Sequence, residues 1–163
     1  PDETAWSWST DQTVRFTFRR QAHEALIHRL DAELVVGDVT PLDPRLAADG
    51  VDEMLDIMLG EAPTWATFTP DDAVVAVHAR DTDHEFRVRL GRTTGTDKAG
   101  TTHDQADLRV IDEPGVEPDA VLEGRAEDLD AWLWHRRDDA ALEWVGDHAV
   151  RQRFTDITAE PMD

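Results

Sequence analysis

The chain has 163 residues, 40% of them hydrophobic, with a formal charge of −20 and no cysteine. That length and composition suit one folded domain, or one domain with part of another. They exclude disulfides, thiolate zinc sites and a cysteine nucleophile, and so acidic a surface excludes nucleic acid and anionic membrane as expected partners.

The chain begins at Pro1 and enters a helical pattern almost at once, as expected of a processed protein or of a fragment whose upstream part is missing. Thr10 or Asp11 offers a side-chain oxygen to free N–H groups and opens a helix running to about Val36. Gly37 stops it. Val14, Phe18, Ala22 and Ala25 recur at helical spacing and form its expected apolar face, with Phe16, Ile27 and Leu30 elsewhere around it. Apolar residues on several sides mark a helix meant to be surrounded, as in a bundle. Gly37 to Pro44 carries two prolines and reads as a linker. It divides the chain into residues 1–45 and 46–163.

A second helix is expected over Leu46 to Leu59, with Val51, Met54, Leu55 and Met58 as its stripe. The period then changes. Ala73–Val77 and Glu85–Leu90 read as strands, joined by a turn at Asp81-Thr82-Asp83. Gly91 to Thr102 reads as a glycine- and threonine-rich loop. Ala106–Ile111 and Ala120–Leu122 are further strands. Ala126–Arg136 returns to helical spacing, with Leu129, Trp132 and Leu133 on one face. A short strand around Leu142, Trp144 and Val145 comes next, and Gly146-Asp147 opens a last helix with Val150, Phe154 and Ile157 inward. The order predicts an α+β layer protein. No apolar run approaches a membrane span and no signal peptide is visible, so the expected compartment is the cytoplasm.

The sharpest chemical constellation is Glu24-Ala25-Leu26-Ile27-His28. Spacing i, i+4 stacks a carboxylate and an imidazole on one face, where they can share a divalent cation such as zinc. The pair lies on an edge beside the Val14/Phe18 face, with Thr17, Gln21 and Asp31, so a metal there is expected beside a core. On spacing alone an ordinary solvated Glu–His pair is the commoner explanation. His23 points about 100° away and reads as a surface or packed histidine. His78, His84 and His103 lack ligand spacing. His135-Arg136-Arg137 closes a helix, where cations offset the dipole; arginine there can also grip a carboxylate. Trp132, Trp134 and Trp144 read mainly as core, and Trp65–Phe68 lines a pocket or covers the sheet. Gly91 to Gly95 has no phosphate-loop signature.

The run Arg19 to Glu33 resembles the last bundle helix of the mycothiol-dependent maleylpyruvate isomerase family. Arg20, Ala22, Glu24, His28, Arg29, Asp31, Ala32 and Glu33 match its pattern, and Leu30 stands where the family often has Trp. Asp43-Pro44 and Leu46–Glu53 look like its link into a second domain. Gly124–Leu129, Trp132-Leu133-Trp134 and Gly146-Asp147 are similar to its later helices.

The resemblance implies that residues 1–45 are the last helix and linker of a DinB-like four-helix bundle. Residues 46–163 would then be an α+β domain with a sterol-carrier-protein-2-like sheet and packed helices. It implies Glu24 and His28 as metal ligands, zinc first, with a third ligand, a His on an earlier helix, outside this chain. Arg136 becomes the candidate catalytic residue, a basic group meeting the substrate. The implied cofactors are the metal and mycothiol or another small thiol, which suits a chain without cysteine. In the parent family the thiolate adds to a conjugated double bond, rotation ensues, and the thiol leaves. The implied activity is isomerase or thiol-transferase on a small unsaturated acid, with this chain inactive alone. The alternative is a sterol-carrier-like module that binds a lipid or small ligand without catalysis, suggested by the Trp-rich segments. A homo-oligomer through the N-terminal helix is a further expectation, since a lone bundle helix seeks a partner.

Overall fold

The computed structural model describes residues 2–113 and 115–159. In chain order the elements are α1 (Val14–Val36), α2 (Pro44–Glu53), a π-helical turn (Met54–Met58), β1 (Ala66–Ala79), β2 (His84–Thr96), β3 (Thr102–Val110), β4 (Ala120–Gly124), α3 (Ala126–Leu133), β5 (Glu143–Gly146) and α4 (His148–Thr158). The class is α+β, with one long helix leading, as the pattern predicts.

The five strands form one sheet in the order β3-β2-β1-β4-β5, so β3 and β5 are its edges. All neighbours are antiparallel except β1 and β4, which run parallel. Register sets the core: Phe86, Val77, Leu122 and Trp144 form one row across the sheet, and Val110, Val88, Val75 and Ala120 form the next. With side chains alternating between faces, this side packs on Leu129, Leu133, Phe154, Met54 and Leu55 from the helical layer. The opposite side carries charge. His78 pairs with Glu123, Arg89 pairs with Glu113, and Arg87 donates to the Val116 carbonyl.

Two stretches differ from the sequence reading. The expected loop from Gly91 is the second half of β2, which continues to Thr96. Gly91 is needed there because a Cβ would lie 2.3 Å from the Thr69 carbonyl oxygen and 2.7 Å from the Phe68 ring. The strand accepts its glycine for close backbone approach. Pro44, read as a linker residue, is instead the first residue of α2. Asp43 caps that helix by accepting from the Arg45 and Leu46 N–H groups, and proline costs nothing at N1. The second helix also ends sooner than expected, passing into the π turn after Glu53.

The helix α1 is capped by Thr13, whose side chain accepts from the Phe16 N–H, not by Thr10 or Asp11. Gly37 ends it in the left-handed region at φ 74° and returns its N–H to the Glu33 carbonyl. The expected inward face is the wrong one. Phe16, Arg20, His23, Leu26, Ile27 and Leu30 are buried, whereas Phe18 is 69% exposed. Leu26 and Leu30 enter the same core as the sheet and the other helices. The buried face wins despite its two polar positions because α2 supplies their partners. Arg20 Nη1 donates to Glu53 Oε2 at 2.6 Å, and His23 Nε2 meets Asp49 Oδ2 at 2.7 Å. Arg19 adds bonds of 2.9 and 2.8 Å to Asp49 and Asp52.

Candidate functional site

Glu24 and His28 meet as their spacing predicts. His28 Nε2 lies 3.0 Å from Glu24 Oε2. Behind them the residues form a chain of charge along the helix. Arg20 holds the other oxygen of Glu24, and His28 Nδ1 lies 3.2 Å from Asp31 Oδ2. Asp31 is gripped by Arg136, whose Nε and Nη2 donate to its two oxygens at 2.8 and 3.1 Å. That fork, reinforced by His28, holds the Asp31 carboxyl below its usual range, and Asp31 in turn raises the Arg136 guanidinium. The Arg136 and Arg20 guanidinium groups lie 6.0 and 5.2 Å from the centre of the Trp134 ring.

Arg136, expected to meet substrate, therefore stands beside the Glu24/His28 pair, with its fork engaged by Asp31. The pair itself is not sheltered by a core. His28 is 67% exposed at its side chain, because the inward face of α1 lies on the other side. His23 is packed, 1% exposed, and takes no part in the pair. His78, His84 and His103 are remote from it, each bonded to its own neighbours.

The arrangement meets one requirement of a metal and lacks another. A histidine ligand ordinarily gives its second N–H to a carboxylate, and Asp31 accepts at Nδ1, leaving Nε2 to face outward with Glu24. Two donors 3.0 Å apart also suit adjacent positions on a tetrahedral zinc, about 3.3 Å apart at bond lengths near 2.0 Å. Yet zinc takes at least three protein ligands at most sites. Among the described residues no group of three or more His, Cys, Asp or Glu is placed to hold a metal. One chain presents half a site.

Beside Glu24 opens a cleft of about 1110 Å³, walled by Trp8, Arg20, Met58, Trp65 and Lys98. Trp65 lines it, one of the two roles its segment suggested, and packs on His103 at 4.8 Å between ring centres.

A second polar group went unread in the sequence. Where α1, α2 and α3 meet, His23, Glu53 and Asp130 are all buried. His23 Nδ1, Glu53 Oε1, both Asp130 oxygens and Trp134 Nε1 have no hydrogen-bond partner. Burial pushes Asp130 up to about 7, and the nearby Glu53 charge adds to that. His23 offsets part of it, as does the Trp134 N–H, which leans toward the carboxyl without closing a bond. Asp49, by contrast, is drawn down to about 2, first by its bond to His23 and then by Arg19 against the cost of burial. The sequence signal was available. Asp130 falls between Leu129 and Ala131 on α3, and Glu53 falls beside Val51 and Met54 on α2. Each is an acid inside an apolar stripe.

The known-protein comparisons agree with the second half of this layout. The MDMPI C-terminal domain family matches residues 45–153. The chain belongs to that family, and the sheet with its packed helices is the family's C-terminal module. No curated protein matches the sequence. Among solved structures, a UbiJ-SCP2 ubiquinone synthesis protein aligns over 86% of this chain and 96% of its own, at 14% identity and a TM-score of 0.32. That likeness is too slight to bear on ligand or activity. No described helix is long and apolar enough to cross a membrane.

Proposed function

We propose that this chain is the C-terminal part of a metal- and thiol-dependent isomerase or thiol-transferase of the maleylpyruvate isomerase type. In this reading Glu24 and His28 supply two of the ligands of a divalent cation, zinc first. The observation that carries it is the backing of the pair: Asp31 at His28 Nδ1, with Arg136 holding Asp31 in place. An ordinary solvated Glu–His pair has no need of such support.

Bound zinc supplies a lowered pKa to a coordinated thiol, so that mycothiol or another small thiol is a nucleophile at neutral pH. The residues of this chain do the rest. Asp31 fixes the proton on His28 Nδ1 and turns Nε2 outward. Arg20 occupies one Glu24 oxygen and leaves the other facing His28 Nε2. Arg136 keeps Asp31 ionised and stands beside the pair through Asp31, suited to meet the carboxylate of a small unsaturated acid. Trp8, Trp65 and Met58 offer the cleft an apolar wall for the rest of such a molecule. A single chain lacks a full ligand set and is inactive alone on this account.

Calorimetric titration with Zn²⁺ tests the ligand assignment. E24Q and H28A should each weaken zinc binding at least 10-fold, and D31N by about 10-fold through loss of the outer support. Zinc binding unchanged in all three would sink it. A protein that includes the preceding bundle should show thiol-dependent turnover, lost in H28A.

The cleft also favours a second reading, a module that binds a small apolar or lipid ligand without catalysis. Titrating tryptophan fluorescence with fatty acids and small unsaturated acids separates the two. A saturable response to lipid, unaffected by H28A, supports the carrier.

A further inference from the structure

Trp134 caps the C-terminal end of α3 and packs against the core. Packing alone does not account for a tryptophan here. Its Nε1 is buried with no hydrogen-bond partner, and an unpaired buried N–H is a cost that leucine or phenylalanine avoids. What tryptophan adds is a large ring face, the strongest aromatic surface for a cation. Two guanidinium groups lie over that ring, Arg20 at 5.2 Å and Arg136 at 6.0 Å.

Each of these arginines holds one half of the Glu24/His28 pair. Arg20 bonds Glu24 on one side and the buried Glu53 on the other. Arg136 grips both oxygens of Asp31, and Asp31 faces His28 Nδ1. A long arginine side chain gives up much rotamer freedom when fixed. A ring beneath the guanidinium restricts the plane in which its N–H groups point, and a two-pronged grip on a carboxylate depends on that plane.

The local chain is built to bring Arg136 back over the indole. His135 sits in the left-handed region at φ 59°, with its Nε2 2.6 Å from the Thr158 carbonyl oxygen. Past that turn the Arg136 N–H returns to the Ala131 carbonyl at 2.8 Å, and its Nη1 donates to the Trp134 carbonyl at 2.5 Å.

We propose that Trp134 is a positioning residue for the ligand pair: its ring face orients Arg20 and Arg136, which fix Glu24 directly and His28 through Asp31. The inference rests on the reading of Glu24 and His28 as ligands. It gives the C-terminal module a task at a site borne on the helix before it. Trp134 touches neither metal nor substrate. Two guanidinium groups here meet three carboxylates, Glu24, Asp31 and Glu53, so the clamp leaves the pair attractive to a cation.

Calorimetric titration of the chain with Zn²⁺ tests this. W134L removes the ring face and should weaken zinc binding about 10-fold, the scale of a lost outer support. W134F keeps a ring face while dropping the N–H, and should stay within about 2-fold of the unsubstituted protein. Tryptophans carrying one, two and three ring fluorines, placed at position 134 alone, drain the ring face with little change of shape. Zinc affinity should fall at each step, by about 3-fold over the series. That series decides the matter even where W134L fails to fold. Zinc affinity indifferent to fluorination overturns the positioning role, and if E24Q and H28A still lose zinc the ligand assignment stands. Zinc uptake that E24Q and H28A do not alter overturns both.

Discussion

Asp130 lies on α3, fully buried, with neither oxygen hydrogen-bonded and with Glu53 nearby. Its folded pKa is raised from 3.8 to about 7. A raised pKa means that the folded protein keeps a proton the unfolded chain gives up. The stability this contributes is whole below pH 4, falls as pH rises toward 7, and levels off above that. The gap of about 3 pH units, at 1.36 kcal/mol each, sets a ceiling of about 4 kcal/mol. Local relaxation and water entry bring a realistic figure to about 2–4 kcal/mol. D130N keeps the shape and removes the titration. Urea unfolding of both proteins from pH 4 to pH 8 reads the effect as a difference, which cancels the other carboxylates. The advantage of D130N should grow by about 2–4 kcal/mol across that range. A difference flat in pH would refute the claim that Asp130 is folded in as a neutral acid.

Asp49 should behave in the opposite sense. Its folded pKa is lowered, so its contribution is present above pH 4 and lost as pH falls toward 2. D49N should cost about 1 kcal/mol at pH 7, an amount limited by solvent at this half-exposed carboxylate. The cost should vanish near pH 2 in the same unfolding experiment. E53A leaves the buried Arg20 guanidinium with only the partly exposed Glu24 as partner and should cost about 1.5–3 kcal/mol, read as a lower urea midpoint. The double replacement R20M/E53L should recover most of that loss. G146A should cost at least about 2 kcal/mol, because Gly146 holds φ 104° and a Cβ would lie 2.3 Å from the Asp119 carbonyl oxygen; thermal melting measures it.

The sequence made the elements easier to read than their orientation. Helix α1 was visible through its length and the Gly37 stop. Its buried face was not, because apolar residues ring the helix and the stripe that packs contains Arg20 and His23. Only the positions of Glu53 and Asp49 on α2 make that stripe the favourable one. The Gly91–Thr96 half of β2 was hidden for a similar reason. Local composition said loop, while the closeness of the Thr69 carbonyl, which demands glycine, is a tertiary fact. Within the candidate site, i, i+4 spacing brought Glu24 to His28 directly. The grip of Arg136 on Asp31 joins residues 105 positions apart, which no local period reports.

The sheet has two open ends, and they are guarded differently. Strand β5 has four residues, too short to recruit another chain. Strand β3 has nine, with Asp104, Asp107 and Arg109 along it, and its protection is charge. The net charge of −20 adds to it by keeping molecules apart, and strong acid, which neutralises carboxylates in general, erases that charge. Acid is thus the condition under which β3 becomes a template for strand addition, and the route by which this fold would enter fibres.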